Sequence, residues 1–247
     1  MAVLPEQPRP VPGGVAVVPL HGDQLNPHFA GQPVLVFLKD NKPHAVVGLP
    51  LDISPGLHHL ETASGPIPLH VLEKNYPTQH VRIRDRAKVD LSPSDQARVM
   101  QEHAEIGRLK RHFSSTSAPR LDFTPPADGP ISGLFGARRV FNGKPRAPHV
   151  GLDFKVPVGA PIRAASSGTV LAVADYFFNG QTVVIDHGQG LITLYCHLNR
   201  IDVAAGQQVK RGDPLGSAGA TGRASGPHLH WSVVLNGAMV DPQLFLP

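Results

Sequence analysis

Short runs in which apolar and polar residues alternate recur along the chain, broken by turn-forming residues. GVAVVPL, PVLVFLKD, HAVVGLPL, GLHHLETA, IPLHVLE and QHVRIRD follow one another before residue 90. Alternation with a period of two marks strands with one buried face, and KDNKP between two of them reads as a hairpin turn. Such regular spacing predicts a small β-sandwich of immunoglobulin-like size over residues 1–90. The period then becomes helical in SPSDQARVMQEHAEIGRLKRHF. Ser92 suits the N-cap, Pro93 the first helical position and Asp95 the third, with Val99, Ile106, Leu109 and Phe113 as the apolar stripe of a helix over 93–112. The polar, Pro-rich SSTSAPRLDFTPPADGP has no period and reads as a linker or extended arm. Residues 91–128 are therefore expected to be a connecting helix and linker. Strand signals resume beyond it without a second helix, so 129–247 is expected to be an antiparallel β-sheet domain. The expected class is mainly β, two β units joined by one helix.

Composition adds limits. In 247 residues there are 25 Gly and 26 Pro, which favours turns and short strands over long helices. Charged residues make up 17% and form no basic block, so no nucleic-acid-binding tail is expected. A net charge of +4 and a pI of about 9.4 fit ordinary solubility and also attraction to a polyanionic surface such as a cell wall. A single cysteine, Cys196, permits no intrachain disulfide. No apolar run is long enough to span a bilayer; VLVFL is among the longest. MAVLPEQPRPVPGG carries no signal-peptide core, and any signal peptide is expected to lie outside this sequence.

The chemistry concentrates after residue 129. APHVGLDF holds His149 and Asp153, LYCHL holds His197, and SGPHLHW holds His228 and His230. Each motif alone arises readily by chance in a chain with 14 histidines. Pro148 and Gly151 argue against a helix around the first pair. On an extended segment an offset of four shares a face, so His149 and Asp153 converge while Leu152 and Phe154 point into a core. The same alternation sends Leu229 inward and both imidazoles of HLH outward. Two imidazoles and a carboxylate suit zinc with a fourth position left to water, and water so held ionises near neutral pH. Two histidines would remain as general base or oxyanion donor. Tyr195, two residues before His197, is expected on the same face and over the cleft, and Cys196 on the opposite face. His187 in IDHGQG reads as a turn residue capped by Asp186, and the remaining histidines as surface or satisfied core residues.

HVGLDF, LYCHL and GPHLHW, in this order and at these gaps, resemble the lysostaphin/LytM-type zinc metallopeptidases that cut peptidoglycan peptides. GAPIRAASSGTVLAV, TVVIDHGQGLITLYCHL, GQQVKRGDPLGSAGATGRASGPHLHW and VDPQLFLP extend the resemblance over about 129–247. No comparable resemblance covers the first half. The resemblance implies one Zn(2+) per chain held by His149, Asp153 and His230, with His197 and His228 as catalytic histidines that do not bind metal. It implies a metalloendopeptidase acting on peptidoglycan cross-links through a zinc-activated water, in the periplasm, cell envelope or outside the cell. Tyr195, Arg223 and Asn142 are candidate substrate contacts, and a monomer is favoured. Two alternatives stand beside it. A non-catalytic wall-binding regulator of another hydrolase would use the same cleft, although the complete ligand set speaks against it. A biotinyl- or lipoyl-type module shares the strand pattern, but no lysine lies between Lys155 and Lys210, where its modified hairpin would be.

Overall fold

The computed structural model describes residues 9–22, 24, 26–81, 92–116, 119–141, 144–145 and 147–247. Before the helix lie the strands β1 (Val15–Pro19), β2 (His28–Phe29), β3 (Gln32–Pro33), β4 (Leu35–Lys39), β5 (Lys42–Gly48), β6 (Gly56–Leu60), β7 (Ile67–Val71) and β8 (Thr78–Val81). The helix α1 spans Pro93–Lys110. After it come β9 (Ile131–Gly133), β10 (Arg138–Phe141), β11 (Lys144–Pro145), β12 (Leu152–Phe154), β13 (Pro161–Arg163), β14 (Gly168–Tyr176) and β15 (Gly180–Gly188). The last strands are β16 (Leu191–Ile201), β17 (Gln208–Val209), β18 (Pro214–Ala218), β19 (Leu229–Leu235) and β20 (Ala238–Val240), followed by a 3-10 turn at Pro242–Phe245.

The mainly β class is as expected. The N-terminal unit is a three-stranded antiparallel sheet, β1-β5-β4, with the hairpins β2–β3 and β6–β7. Ala16, Val18, Ala45 and Val47 pack against Leu60, Leu69 and Val71 in a core of its own. The C-terminal unit is one large sheet in which β17-β14-β15-β16-β19-β12-β9 lie side by side, with β13, β18 and β20 attached at its margins. One strand crosses between the units: β8 pairs in parallel with β10.

The helix begins as its sequence dictates. The Ser92 side chain accepts from the Asp95 amide, Pro93 opens the first turn, and Arg108 and Lys110 close the last. Ile106 and Leu109 pack over Val184, Ile192, Leu194, Cys196 and Val234, covering one face of the large sheet. The other face carries the main core, where Leu152, Trp231 and Tyr195 form one row across three strands.

The stretch read as a linker and part of the N-terminal unit are both built into this core. Leu121 and Phe123, from the Pro-rich segment, are each 1% exposed. Phe123 stacks on Phe245 and meets Trp231 edge-on. Val15, Leu35, Phe37 and Val46 of the N-terminal unit belong to the same cluster as the C-terminal core. Burying four such side chains contributes about 6–12 kcal/mol as an upper estimate, comparable with the whole stability of a domain. Polar contacts fix the register between the units: the Asn236 side chain accepts from the Gly48 amide and donates to its carbonyl, and the Val36 amide donates to Gln189. Gly48 permits this approach, since a Cβ there would lie 2.6 Å from that of Leu235.

His187 is not in a turn. It sits inside β15, its ring tilted against Phe123 and held between the Ser167 carbonyl and the Thr193 hydroxyl. Burial pulls its pKa down to about 4. The unfolded chain, with an imidazole pKa near 6.5, then binds the extra proton between these values, so stability present above pH 6.5 is lost as the pH falls toward 4. Lowering the pH from 7 to 5 should cost about 2 kcal/mol through His187. Denaturant unfolding of the chain and of His187→Gln at both pH values checks this: the variant should lack that share of the loss.

Candidate active site

The site grows from one row of the large sheet. Asp153 on β12 pairs with His230 on β19, which pairs with Cys196 on β16. Paired residues share a face, so the row lies opposite Leu152, Trp231 and Tyr195. Leu152 and Phe154 are buried on either side of Asp153, and Leu229 and Trp231 on either side of His230, so core packing orients both polar side chains. His149 arrives from the segment just before β12. Its Nε2 lies 3.0 Å from Asp153 Oδ1 and 2.9 Å from His230 Nδ1, and the latter pair is 2.9 Å apart.

The outer atoms of both rings are engaged. His149 Nδ1 faces the Leu134 carbonyl at 2.9 Å and donates to it; His230 Nε2 lies 3.0 Å from the Ser232 hydroxyl. With protons on those outer nitrogens, the three inner atoms are lone pairs aimed at one another. Burial opposes charge on Asp153; in the alternative tautomers, where His149 or His230 turns a ring proton to Oδ1, those bonds outweigh burial and hold the carboxyl well below the usual range, so the carboxylate is the anionic member of the trio. Burial first, then the neighbouring histidines, lowers the pKa of His230, with Asp153 opposing. Three converging lone pairs, one of them anionic, repel unless a cation lies between them. The trio offers one ligand atom each, and two imidazoles with one carboxylate fit zinc.

Glycines make room for the trio, a point the histidine pattern did not signal. A Cβ on Gly151 would lie 2.5 Å from the Trp231 carbonyl and 2.7 Å from the His230 ring, and one on Gly133 would collide with the Asp153 carboxylate. The outer partners, Leu134 O and Ser232, were also missed. A backbone carbonyl has no side-chain signature, and the serine lies one alternation beyond the HLH pair.

His197 and His228 flank the trio, with ring centroids 4.7 Å apart. His228 Nδ1 donates to the Gly226 carbonyl and His197 Nδ1 to the Thr221 carbonyl, which leaves each Nε2 free of those bonds. His228 Nε2 lies 3.8 Å from Asp153 Oδ1. Burial pulls the His197 pKa down to about 4, with the Thr221 carbonyl opposing.

His197 reaches this face by breaking the alternation. Three steps along β16, from Tyr195 to Leu198, oppose two along β15, from Val183 to Gln181. His197 has φ of +63° in this bulge, and a bulge re-aims a side chain. The offset-two reading of Tyr195 is therefore corrected. Tyr195 is fully buried on the core face, its hydroxyl accepting from the Ala165 amide and the Thr193 hydroxyl. Cys196 is the residue that shares a face with His230, under α1 rather than in the cleft, and burial pushes its thiol up to about 11. Arg223 is exposed, and its guanidinium lies 5.2 Å from the Phe177 ring centroid. Asn142 lies outside the described residues.

The pattern of Peptidase family M23 matches residues 147–242, and that of the Peptidase family M23 N-terminal domain matches residues 8–74. A solved M23 peptidase structure from Pseudomonas aeruginosa is 44% identical, with a TM-score of 0.80 over 96% of this chain and 95% of that one. The chain belongs to peptidase family M23. All five cleft positions fall inside the matched M23 segment, and the N-terminal unit, which sequence reading left unassigned, falls largely inside the second match. Among curated relatives, peptidoglycan DD-endopeptidase ShyA of Vibrio cholerae is 41% identical over 112 residues, 45% of this chain and 26% of that protein. Its counterpart ShyC from the same organism is 42% identical over 115 residues, 46% of this chain and 26% of that protein. The M23 chain thus spans about a quarter of the length of these relatives.

The cradle around the M23 trio is testable. Gly151→Ala should displace the His230 ring and weaken zinc binding about 10- to 100-fold, as loss of a supporting contact does at other metal sites. Competitive titration of the metal-free chain against a chromophoric zinc chelator reads this directly; unchanged affinity would show that the ring has room to spare.

Proposed function

We propose that this chain is a zinc metalloendopeptidase that hydrolyses peptide cross-links of bacterial peptidoglycan, acting in the cell envelope. The observation that carries the reading is the triangle of His149 Nε2, Asp153 Oδ1 and His230 Nδ1, with edges of 2.9–3.0 Å, beside two histidines outside it. Family membership and the peptidoglycan DD-endopeptidase activity of ShyA and ShyC support the substrate class. Their description as DD-endopeptidases favours the bond between D-alanine and diaminopimelate over glycine bridges.

His149, Asp153 and His230 would hold the ion. Zinc there supplies Lewis acidity, which polarises a carbonyl and brings the pKa of water to about 7. The bond to the Leu134 carbonyl puts the His149 proton on Nδ1 and frees Nε2 to bind it, and the Ser232 hydroxyl accepts from His230 Nε2 when Nδ1 binds. His197 and His228 handle protons. Each gives its Nδ1 proton to a backbone carbonyl, so each Nε2 begins as an acceptor. An Nε2 that takes the proton of the attacking water becomes an imidazolium. In that form it holds the developing oxyanion or hands the proton to the leaving amine. The water oxygen thereby joins the scissile carbonyl carbon, the C–N bond breaks, and the amine leaves neutral. The 219–226 loop, with Gly219, Gly222 and Gly226, is small enough for an extended peptide to approach closely.

Two experiments test this. His149→Ala, Asp153→Ala and His230→Ala should each lose zinc by elemental analysis, whereas His197→Ala and His228→Ala should keep zinc and lose turnover by at least about 100-fold. A zinc-free, inactive chain that stimulates another wall hydrolase would instead be a regulator. Digestion of purified sacculi of both wall types, with fragment analysis, identifies the bond: release only from glycine-bridged walls would reject the preference for D-alanyl bonds.

A further inference from the structure

The non-ligand histidine His197 is held by backbone rather than by its own strand. Its amide donates to the Asn179 carbonyl at 2.8 Å and its ring to the Thr221 carbonyl at 2.9 Å. Both acceptors depend on the turn between β14 and β15. Asn179 lies in it, and its side-chain amide also donates to Cys196 Sγ. The Thr221 loop is tied to it at two points: Thr221 Oγ1 accepts from the Gln181 amide at the exit of the turn, and the Arg223 amide donates to the Phe178 carbonyl; Thr221 Oγ1 also donates to the Leu198 carbonyl of β16. Where this turn sits, His197 sits.

The turn is in turn gripped by α1. The Phe177 amide donates to Glu102 Oε2 at 2.7 Å, and Tyr176 donates its hydroxyl proton to Glu105 Oε1 at 3.0 Å. Arg98 bonds Glu102 Oε1 at 2.6 Å and the Asp175 carbonyl at 2.9 Å. Two guanidiniums approach the Phe177 ring, Arg98 at 5.8 Å and Arg223 at 5.2 Å, one from the helix and one from the loop that carries Thr221. The Glu102 side chain is only 16% exposed, so its bond to the turn is shielded from water.

We infer that Glu102 is a positioning residue for catalysis: through the Phe177 amide it fixes the 176–180 turn, and through Asn179 and Thr221 that turn sets the place and ring orientation of His197. This rests on the reading of His197 as a proton-handling group. Glu102 touches neither the metal-binding trio nor the substrate, so its effect falls on turnover and not on zinc content or substrate affinity. A misplacement of about 1 Å at a reacting group costs up to about 100-fold in rate.

The test uses the full chain loaded with zinc and a soluble muropeptide dimer cross-linked through D-alanine and diaminopimelate. Glu102→Ala should lower kcat about 10- to 100-fold with KM changed less than about two-fold and zinc content unchanged. Glu102→Gln keeps an oxygen that accepts from Phe177 and should recover most of the rate. Met100→Ala, on the exposed side of the same helix, should match the parent chain. Parent-like kcat in Glu102→Ala, or failure of Gln to restore it, overturns the inference, provided His197→Ala is inactive. If His197→Ala turns over normally, the underlying assignment fails instead. Should Glu102→Ala not fold, Glu102→Asp keeps the charge but is one methylene too short to reach the Phe177 amide; a lower kcat at constant KM supports the inference, and an unchanged kcat contradicts it.

Discussion

Three ligand atoms, one on a carboxylate, meet at about hydrogen-bond distance, and much of the C-terminal sheet serves to hold them there. Two come from directly paired residues of β12 and β19, so strand pairing alone sets their separation. The third is brought in by the segment before β12, whose amide and carbonyl bond to Ala137 and Gly136. Behind the row, Leu152, Trp231 and Tyr195 fill the core, and a large apolar side chain flanking each polar one forbids a flip. With both ring protons on the outer nitrogens, the three inner lone pairs repel one another, which is costly in a buried place. The arrangement gains by admitting a cation and loses by excluding one.

The N-terminal unit is part of this construction rather than a tethered accessory. Its sheet shares a core with the M23 domain, and the Asn236 and Gln189 side chains read its backbone directly. The helix that follows covers the sheet face on which the trio lies, over the end away from the cleft, and grips the turn that supports His197. A chemical chain therefore runs from the helix to the cleft through hydrogen bonds that are each local and ordinary. Nothing in it requires motion; it requires that the turn stay where the helix puts it.

Much of this was legible in the residues. Alternation in HLH and GLDF gave the facing of His228, His230 and Asp153 because β12 and β19 pair in unbroken register and their apolar neighbours are buried. Ser92, Pro93 and Asp95 announced the helix because capping is a local matter. Alternation failed at His197, where one left-handed residue reverses the faces of everything before it: Tyr195 went to the core, and Cys196 joined the His230 row. No local preference marks a bulge that is fixed by pairing with a distant strand. Phe123 and Leu121 were hidden for another reason. Prolines around them suppress any period, yet an extended segment without partners in sequence still buries its two large side chains when a core lies beneath. His187 reads as a turn residue beside Gly188, and only the position of Phe123 shows that it is core.

The central claim is that these three side chains bind one zinc ion through the atoms that face one another. Zinc-edge X-ray absorption on the zinc-loaded chain, at one ion per chain, tests it most directly. The account predicts two imidazole nitrogens at about 2.0–2.1 Å with oxygen at about 2.0–2.2 Å and a coordination number of four or five. A spectrum lacking imidazole scattering, or one unchanged when His230 is replaced by alanine, would contradict it.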